Sequence, residues 1–281
     1  MQMHPPPTLA PWRAALQLGF EQQAGRTVMR RLEQYGPLTV QKPLYPEGGT
    51  VCHAIVLHPP GGIAGGDMLQ QDITVGSGAH ALLTTPGAAK WYGSIGPEAS
   101  QVIQLRVATG GTLEWLPQET IVYDGARARS QLQIELAEGA RLACWDLICL
   151  GRPAAGERFK RGSWRQTLRI QRPDGTPLLL ERALLRGGDP LLDAPVGLAG
   201  QPVMGTLLLS GQVDADTLAL LRALPSAPGL RLGWTQLDGL LVLRGLAARA
   251  EPLRAAFTQA WQTLRPTLLG APAIVPRIWQ T

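Results

Sequence analysis

The middle of this chain carries an internal repeat that constrains the fold more than any other feature. Segment 72–82 (DITVGSGAHAL) aligns with 104–114 (QLRVATGGTLE) and with 133–143 (QIELAEGARLA). Each copy has alternating apolar residues, a Gly-Ala or Gly-Gly turn, and a second apolar stretch. The alternation predicts half-buried strands, and an offset of about 30 residues is typical of stacked supersecondary units. The repeat therefore predicts a layered β structure whose strand pairs stack on their neighbours, with a β-sandwich as the alternative.

The sequence on both sides of the repeat adds further strands. Leu16, Leu18 and Phe20 alternate as they would in a strand. Segments 164–171 and 178–185 have the pattern of a hairpin across the turn 173–176. We therefore expect β structure before and after the repeat.

The C-terminal part after residue 210 has a different pattern, with two predicted helices. Asp214 or Asp216 is placed to cap a short helix that runs through Leu224 and ends at Pro225. Pro252 suits the first turn of a second helix, and the strand-like segment 230–246 separates the two. The apolar stripe of this second helix consists of Leu253, Phe257, Ala260, Trp261 and Leu264.

The composition agrees with a mostly β protein that has many turns. Glycine (33) and proline (24) are more frequent than usual, and few helices tolerate so many of them. With 281 residues, of which 45% are hydrophobic, the chain can bury a large core. We expect a single domain over residues 1–281, with the repeated β core at about 50–210 and strands plus two helices at 211–281.

Charge and cysteine content argue against several classes of protein. The net charge is +5, but the basic residues are scattered, and no run of them is longer than the pair Arg30–Arg31, so we expect no nucleic-acid partner. Cys52, Cys144 and Cys149 lack the spacing of a disulfide framework. No apolar run approaches the ~20 residues that span a bilayer, and the N-terminus (MQMHPPP) lacks the regions of a signal peptide. These features predict a soluble cytoplasmic protein without a membrane partner.

The segment 58–67 (HPPGGIAGGD) is a candidate functional loop. Its prolines stiffen the backbone, and its glycine pairs permit conformations that other residues resist. His58 opens the loop and Asp67 ends it, so a site on a rigid scaffold is one interpretation. A structural corner between two strands is the other.

Motifs for metal trapping, nucleotide binding and nucleophilic catalysis are weak or missing. Cys52 and His53 are adjacent, so in a strand they point to opposite faces and cannot easily share an ion. No Gly-Lys-Ser/Thr follows the glycine-rich 61–66 stretch, and there is no Gly-x-Ser-x-Gly motif. A weak or transient metal site fits the sequence better than a dedicated one.

Carboxylates embedded in apolar sequence are the remaining candidates. Asp146 lies within CWDLIC, Glu181 ends the run LLLE, and Glu114 and Glu119 flank WLPQ. A buried charge is costly unless it is paired, hydrated or near a cation. Each of these groups is therefore either an ion-pair partner of an arginine, an exposed strand residue, or part of an acidic path through the interior.

Long contiguous motifs make the chain resemble the UreD (also called UreH) family of urease accessory proteins. The motifs are GRT at 25–27, GPLTVQKPLYPEG at 36–48, CH at 52–53, HPPGGIAGGD at 58–67, LLTTPGA at 82–88, EWLPQE at 114–119, YDGARAR at 123–129, LGRP at 150–153 and GE at 156–157. The resemblance covers most of residues 12–210 and is less distinct after residue 210.

Membership of this family would imply a β-rich, helicoid-like fold with two helices and no catalytic reaction. The resemblance further implies a scaffold that binds UreF, through it the GTPase UreG, and the urease apoprotein, without a tightly bound cofactor. Ni²⁺ would travel through an internal tunnel with Asp67, Asp146 and Glu181 as candidate lining carboxylates and His58 as a further candidate. Oxygen ligands of this kind suit an ion in transit better than a Cys/His trap.

One function of another class stays open from the sequence. Stacked β architectures often host glycosidases, so a carboxylate-dependent hydrolase is the alternative. That enzyme would pair Asp67 or Asp146 with another carboxylate in an open groove.

Overall fold

The computed structural model describes residues 11–223 and 228–280, which form two facing β-sheets and a helical layer. The strands are β1 (Arg13–Gln23), β2 (Arg26–Tyr35), β3 (Thr39–Val40), β4 (Val51–Leu57), β5 (Met68–Val75), β6 (His80–Thr84), β7 (Ala89–Trp91), β8 (Ala99–Val107), β9 (Thr112–Trp115), β10 (Thr120–Val122), β11 (Arg127–Leu136), β12 (Arg141–Leu150), β13 (Ser163–Gln171), β14 (Pro177–Arg186), β15 (Val203–Ser210), β16 (Arg231–Leu237) and β17 (Leu240–Ala247). The α-helices are α1 (Ala215–Ala223) and α2 (Ala250–Leu269), and short 3-10 helices cover Pro153–Ala155, Pro190–Leu192 and Arg277–Gln280.

The strands divide into sheet I and sheet II. Sheet I has the order β14-β13-β11-β8-β5-β1-β2, and sheet II has the order β16-β17-β15-β12-β9-β6-β4-β3, with β10 and β7 attached beside β12. The central strands of each sheet are parallel, and antiparallel strands close the ends. The mostly β class and the stacked arrangement predicted from the repeat are thus confirmed.

The repeat copies stack in the register that their sequence alignment gives. Asp72, Gln104 and Gln133 are Cα partners on the parallel strands β5, β8 and β11 of sheet I. After the turn, His80 pairs with Thr112 on the strands of sheet II, and Thr112 pairs with the next copy. Each copy is therefore one coil of a solenoid-like stack, contributing one strand to each sheet.

A glycine in the left-handed region makes the turn of each coil. The aligned residues Gly78, Gly110 and Gly139 have φ angles of +72°, +73° and +71°. Side chains with a Cβ resist this conformation, whereas glycine adopts it readily. The turn chemistry of the repeat thus fixes the point at which the chain passes from sheet I to sheet II.

Sheet II is buried on both faces, whereas sheet I covers the core with one face only. On β12, Cys144 and Ile148 pack between the sheets, and Trp145 and Leu147 pack on the opposite side against α2. Sheet I strands such as β5 alternate between buried and more accessible residues. The two helices contact strands of sheet II, so they form a third layer outside it.

The predicted C-terminal helices are both present. The Asp214 carboxylate accepts a hydrogen bond from the backbone N–H of Thr217 at 2.6 Å, as expected of a capping residue of α1. All five residues of the predicted apolar stripe of α2 are buried. Leu224 and Pro225, where the sequence predicts the end of the first helix, lie outside the described residues. In the described ranges no helix has the length and apolar character needed to cross a membrane.

Candidate functional site

The loop 58–67 is a rigid corner between β4 and β5. The Asp67 carboxylate is buried and accepts hydrogen bonds from the backbone N–H groups of Trp12 at 3.0 Å and Ala64 at 2.8 Å. A Cβ on Gly62 would lie 2.1 Å from the Tyr92 ring, so the backbone approaches that ring more closely than another residue allows. Asp67 therefore stabilises the loop through these hydrogen bonds. A role for Asp67 in metal contact stays a prediction.

A cavity lies beside this loop, and we call it the loop cavity. It has a volume of about 260 Å³, and its lining includes His58, Gln71 and Gln101. Burial lowers the pKa of His58, opposed by the nearby charge of Asp67. The Oε1 atom of buried Gln71 has no hydrogen-bond partner within residues 11–223 and 228–280. The cavity thus offers a neutral imidazole and an unsatisfied amide oxygen.

A second cavity, which we call the carboxylate cavity, lies between the sheets at the β13–β14 end of the stack. It has a volume of about 420 Å³, and it brings together Asp146 of β12 and Glu181 of β14. The Gln166 amide donates a hydrogen bond to Asp146, and the Arg244 guanidinium donates to Glu181. Two of the four predicted site residues therefore share this cavity, while His58 and Asp67 belong to the loop region.

The two carboxylates of this cavity differ in their surroundings. Burial raises the pKa of Asp146 to about 6, and the hydrogen bond from Gln166 opposes that rise. No cation forms an ion pair with Asp146 among the described residues, whereas Glu181 is partly exposed and paired with Arg244. Asp146 is therefore a half-buried carboxylate on the inner face without an ion-pair partner, an arrangement that costs folding free energy.

A row of uncharged polar side chains lies between the two cavities. Gln101 of β8, Ser130 of β11 and Gln166 of β13 are consecutive Cα partners in sheet I. The alternation of each strand directs these three residues to the inner face, which is otherwise mostly apolar. Gln101 lines the loop cavity and Gln166 the carboxylate cavity. With strands about 4.8 Å apart, the row spans roughly 10 Å.

The three cysteines are buried thiols. Burial raises the pKa of Cys52 to about 11 and that of Cys149 to about 12, and it raises the pKa of Cys144 still further. A thiolate is the form that binds metal. At neutral pH these cysteines are therefore protonated and unsuited to trap a soft metal ion.

A buried ion cluster between sheet II and α2 was not predicted from the sequence. Its centre is Arg265, which is fully buried and donates to both Glu47 and Glu114. Glu114 also interacts with His80 Nε2 at 2.6 Å, and Glu47 interacts with His53 Nε2 at 2.6 Å. Glu114 is thus an ion-pair partner of an arginine, one of the alternatives that its sequence context allows.

The partners in this cluster satisfy one another. The hydrogen bonds from His80 and Arg265 outweigh burial and hold the pKa of Glu114 at about 2, so this carboxylate is ionised. His80 Nε2 must then carry the proton of their hydrogen bond, since a carboxylate only accepts. Throughout the described ranges, no group of three or more His, Cys, Asp or Glu side chains is arranged to hold a metal ion. The cluster anchors α2 to the sheet.

The position of Arg265 is the sequence signal from which a buried ion pair could have been predicted. Arg265 follows Trp261 by one helical turn and therefore lies on the apolar stripe of α2. An arginine on such a stripe requires a buried carboxylate partner. The sequence does not identify that partner, because Glu114 lies 151 residues away.

Comparison with known proteins agrees with the architecture and the motifs of the chain. The family model of the UreD urease accessory protein matches residues 13–280. The urease accessory protein UreD of Pseudomonas fluorescens (strain Pf-5) is 53% identical over 272 residues, which cover 96% of this chain and 95% of that protein. The UreD proteins of Dechloromonas aromatica (strain RCB) and Azoarcus sp. (strain BH72) are each 50% identical, over 274 and 271 residues, 96% of this chain and 95% and 94% of theirs. The chain belongs to the UreD family of urease accessory proteins.

Proposed function

We propose that this chain is a non-catalytic urease maturation factor that passes Ni²⁺ through its interior to the urease apoprotein. In this proposal it acts in the cytoplasm as a scaffold that binds UreF, through UreF the GTPase UreG, and the urease apoprotein. Ni²⁺ is cargo in transit, and no cofactor is tightly bound. Family membership supports the role in urease maturation.

The observation that carries the transit proposal is the polar row Gln101–Ser130–Gln166. Gln101 at one end of the row lines the loop cavity and Gln166 at the other end lines the carboxylate cavity, on an inner face that otherwise packs mostly apolar side chains. Polar groups facing the interior lower stability unless they have partners. In this proposal the three polar side chains of the row are present because they contact a hydrated cation as it passes through the interior.

The donor chemistry of the interior suits passage rather than storage. The row supplies amide and hydroxyl oxygens, and the cavities at its two ends add the His58 imidazole and the Asp146 and Glu181 carboxylates. Soft thiolates hold transition metals tightly, but the cysteines stay protonated. The other two described histidines are already bound to Glu47 and Glu114.

The candidate residues have different roles in this proposal. Asp146 is the principal carboxylate contact, because it lacks a cation partner. Glu181 is a second contact, which the ion must share with Arg244. His58 lines the loop cavity, and Asp67 shapes the loop beside it and adds negative charge near His58.

The proposal is tested by co-expressing variants with apo-urease, UreF and UreG. We expect Asp146→Asn and Glu181→Gln to leave the accessory complex intact but lower the nickel bound per urease active site, measured by mass spectrometry of the purified enzyme. Glu135→Gln is the matched control, because Glu135 lies on β11 with its side chain on the outer face. Normal nickel loading with both interior variants would overturn the transit role.

The carboxylate cavity also identifies the residues that a hydrolase would use. Asp146, whose raised pKa suits a general acid, lies in one cavity with Glu181. The ion pair with Arg244 opposes that function, because it occupies the second carboxylate. Turnover of glycosides by the isolated protein, lost in Asp146→Asn, would favour the enzyme over the scaffold.

A further inference from the structure

The outer face of sheet I carries a dense group of arginines. Both helices pack on sheet II, so no helix covers this face in the described part of the chain. Four cross-strand rows on β11, β13 and β14 read Arg127–Ser163–Arg186, Arg129–Arg165–Leu184, Gln131–Thr167–Arg182 and Gln133–Arg169–Leu180. We call these positions the basic face. Every row contains an arginine and none contains a carboxylate.

The fold brings together arginines that are separated in the sequence. Successive arginines on each strand are separated by one or three residues, so none forms a run, but strand alternation directs them to the same side. Arg129 pairs with Glu98 at 3.1 Å, and Arg127 donates to the carbonyl of Gly96 at 2.9 Å. Among the described residues no carboxylate forms an ion pair with the remaining four, which are exposed: Arg165, Arg169, Arg182 and Arg186.

This concentration of charge works against the stability of the fold. Arg129 and Arg165 are direct cross-strand partners, and like charges in that position are destabilising. A carboxylate at either position would relieve the repulsion. The arrangement is therefore explained by an anionic surface outside the chain.

The same face favours a protein over a nucleic acid as the anionic partner. Leu180 and Leu184 are 50% and 36% exposed and lie between the arginines. Arginine is enriched at protein interfaces, and the exposed leucines add apolar area that a protein partner can bury. None of the twelve positions is aromatic, whereas single-stranded nucleic acid is bound by stacking on aromatic side chains.

We propose that the basic face docks a carboxylate-rich surface of a protein partner in the urease maturation complex. The choice of partner rests on the proposed function, but the basic face lies on the opposite side of sheet I from the polar row.

Binding of the full chain to purified UreF, to purified apo-urease and to a double-stranded DNA probe tests this proposal. The test variant is Arg165→Glu with Arg169→Glu, and the control is Arg30→Glu with Arg231→Glu, which makes the same charge change at exposed positions on β2 and β16. We expect the test variant to lose about tenfold in affinity for at least one partner, and the control to bind as the wild type does. The melting temperature of the test variant should not fall, because the substitution at position 165 places a carboxylate opposite Arg129.

If the test variant binds both partners as tightly as the wild type does, the docking proposal is wrong while the proposed function stands. If the wild type binds neither partner, both proposals fail. If the test variant loses binding only to a double-stranded DNA probe, the face is a nucleic-acid surface and the docking proposal is overturned.

Discussion

Arg265 of α2 donates hydrogen bonds from Nε and Nη2 to the two carboxylate oxygens of Glu114 on β9, at 3.0 and 2.7 Å. Both side chains are completely buried. The same guanidinium reaches Glu47, so one arginine joins the C-terminal helix to two distant parts of the β stack. Breaking a buried pair from one side leaves an uncompensated charge, which costs far more than an exposed pair is worth.

Arg265→Met should therefore lower the free energy of unfolding by about 3–5 kcal/mol, measured by urea denaturation. Arg249→Met removes an exposed pair with Glu251 near the start of the same helix and should cost less than about 1 kcal/mol. Replacing Glu114 by Leu in the Arg265→Met background should recover part of the loss. Equal effects of the two single substitutions would contradict the anchoring role.

Glu114 should make the fold sensitive to acid. Its pKa of about 2 lies below the ordinary value of 4.5, so its contribution is present above pH 4.5 and is lost as the pH falls toward 2. The loss is of the order of a few kcal/mol. Unfolding free energies measured across this range should fall less steeply for Glu114→Gln than for the wild type. Identical slopes would show that this carboxylate is not held ionised.

Asp146 should have the opposite effect on stability. Its pKa of about 6 lies above the ordinary value of 3.8, so the folded state is favoured below pH 3.8 and loses that advantage as the pH rises through 6. Asp146→Asn keeps an acceptor for Gln166 and should raise stability at neutral pH by about 1–3 kcal/mol. Urea unfolding at pH 7.5 and pH 4 measures the difference, and a less stable variant at pH 7.5 would contradict the assignment. A residue that costs stability where an amide would not is a candidate for function.

The repeat made the core of the fold predictable, down to the pairing of Asp72, Gln104 and Gln133. The glycine turn and the alternation of apolar residues determine that register, and both are visible within a short stretch of sequence. The ion cluster and the basic face were not predicted, because they depend on which distant segments become neighbours. Asp146 was identified as an unusual carboxylate, but its proximity to Glu181 follows only from the facing of β12 and β14 across the two sheets.

The nickel content of urease matured with a Ser130→Val variant tests the interior path most directly. Valine at this position replaces the central hydroxyl of the polar row with an apolar side chain that strands accommodate well. Ser100→Val is the matched control, because Ser100 lies on the outer face of neighbouring β8. We expect at least about a twofold loss of nickel per active site for Ser130→Val, with UreF still co-purifying, and wild-type loading for Ser100→Val. Full nickel loading with Ser130→Val would contradict passage along this row.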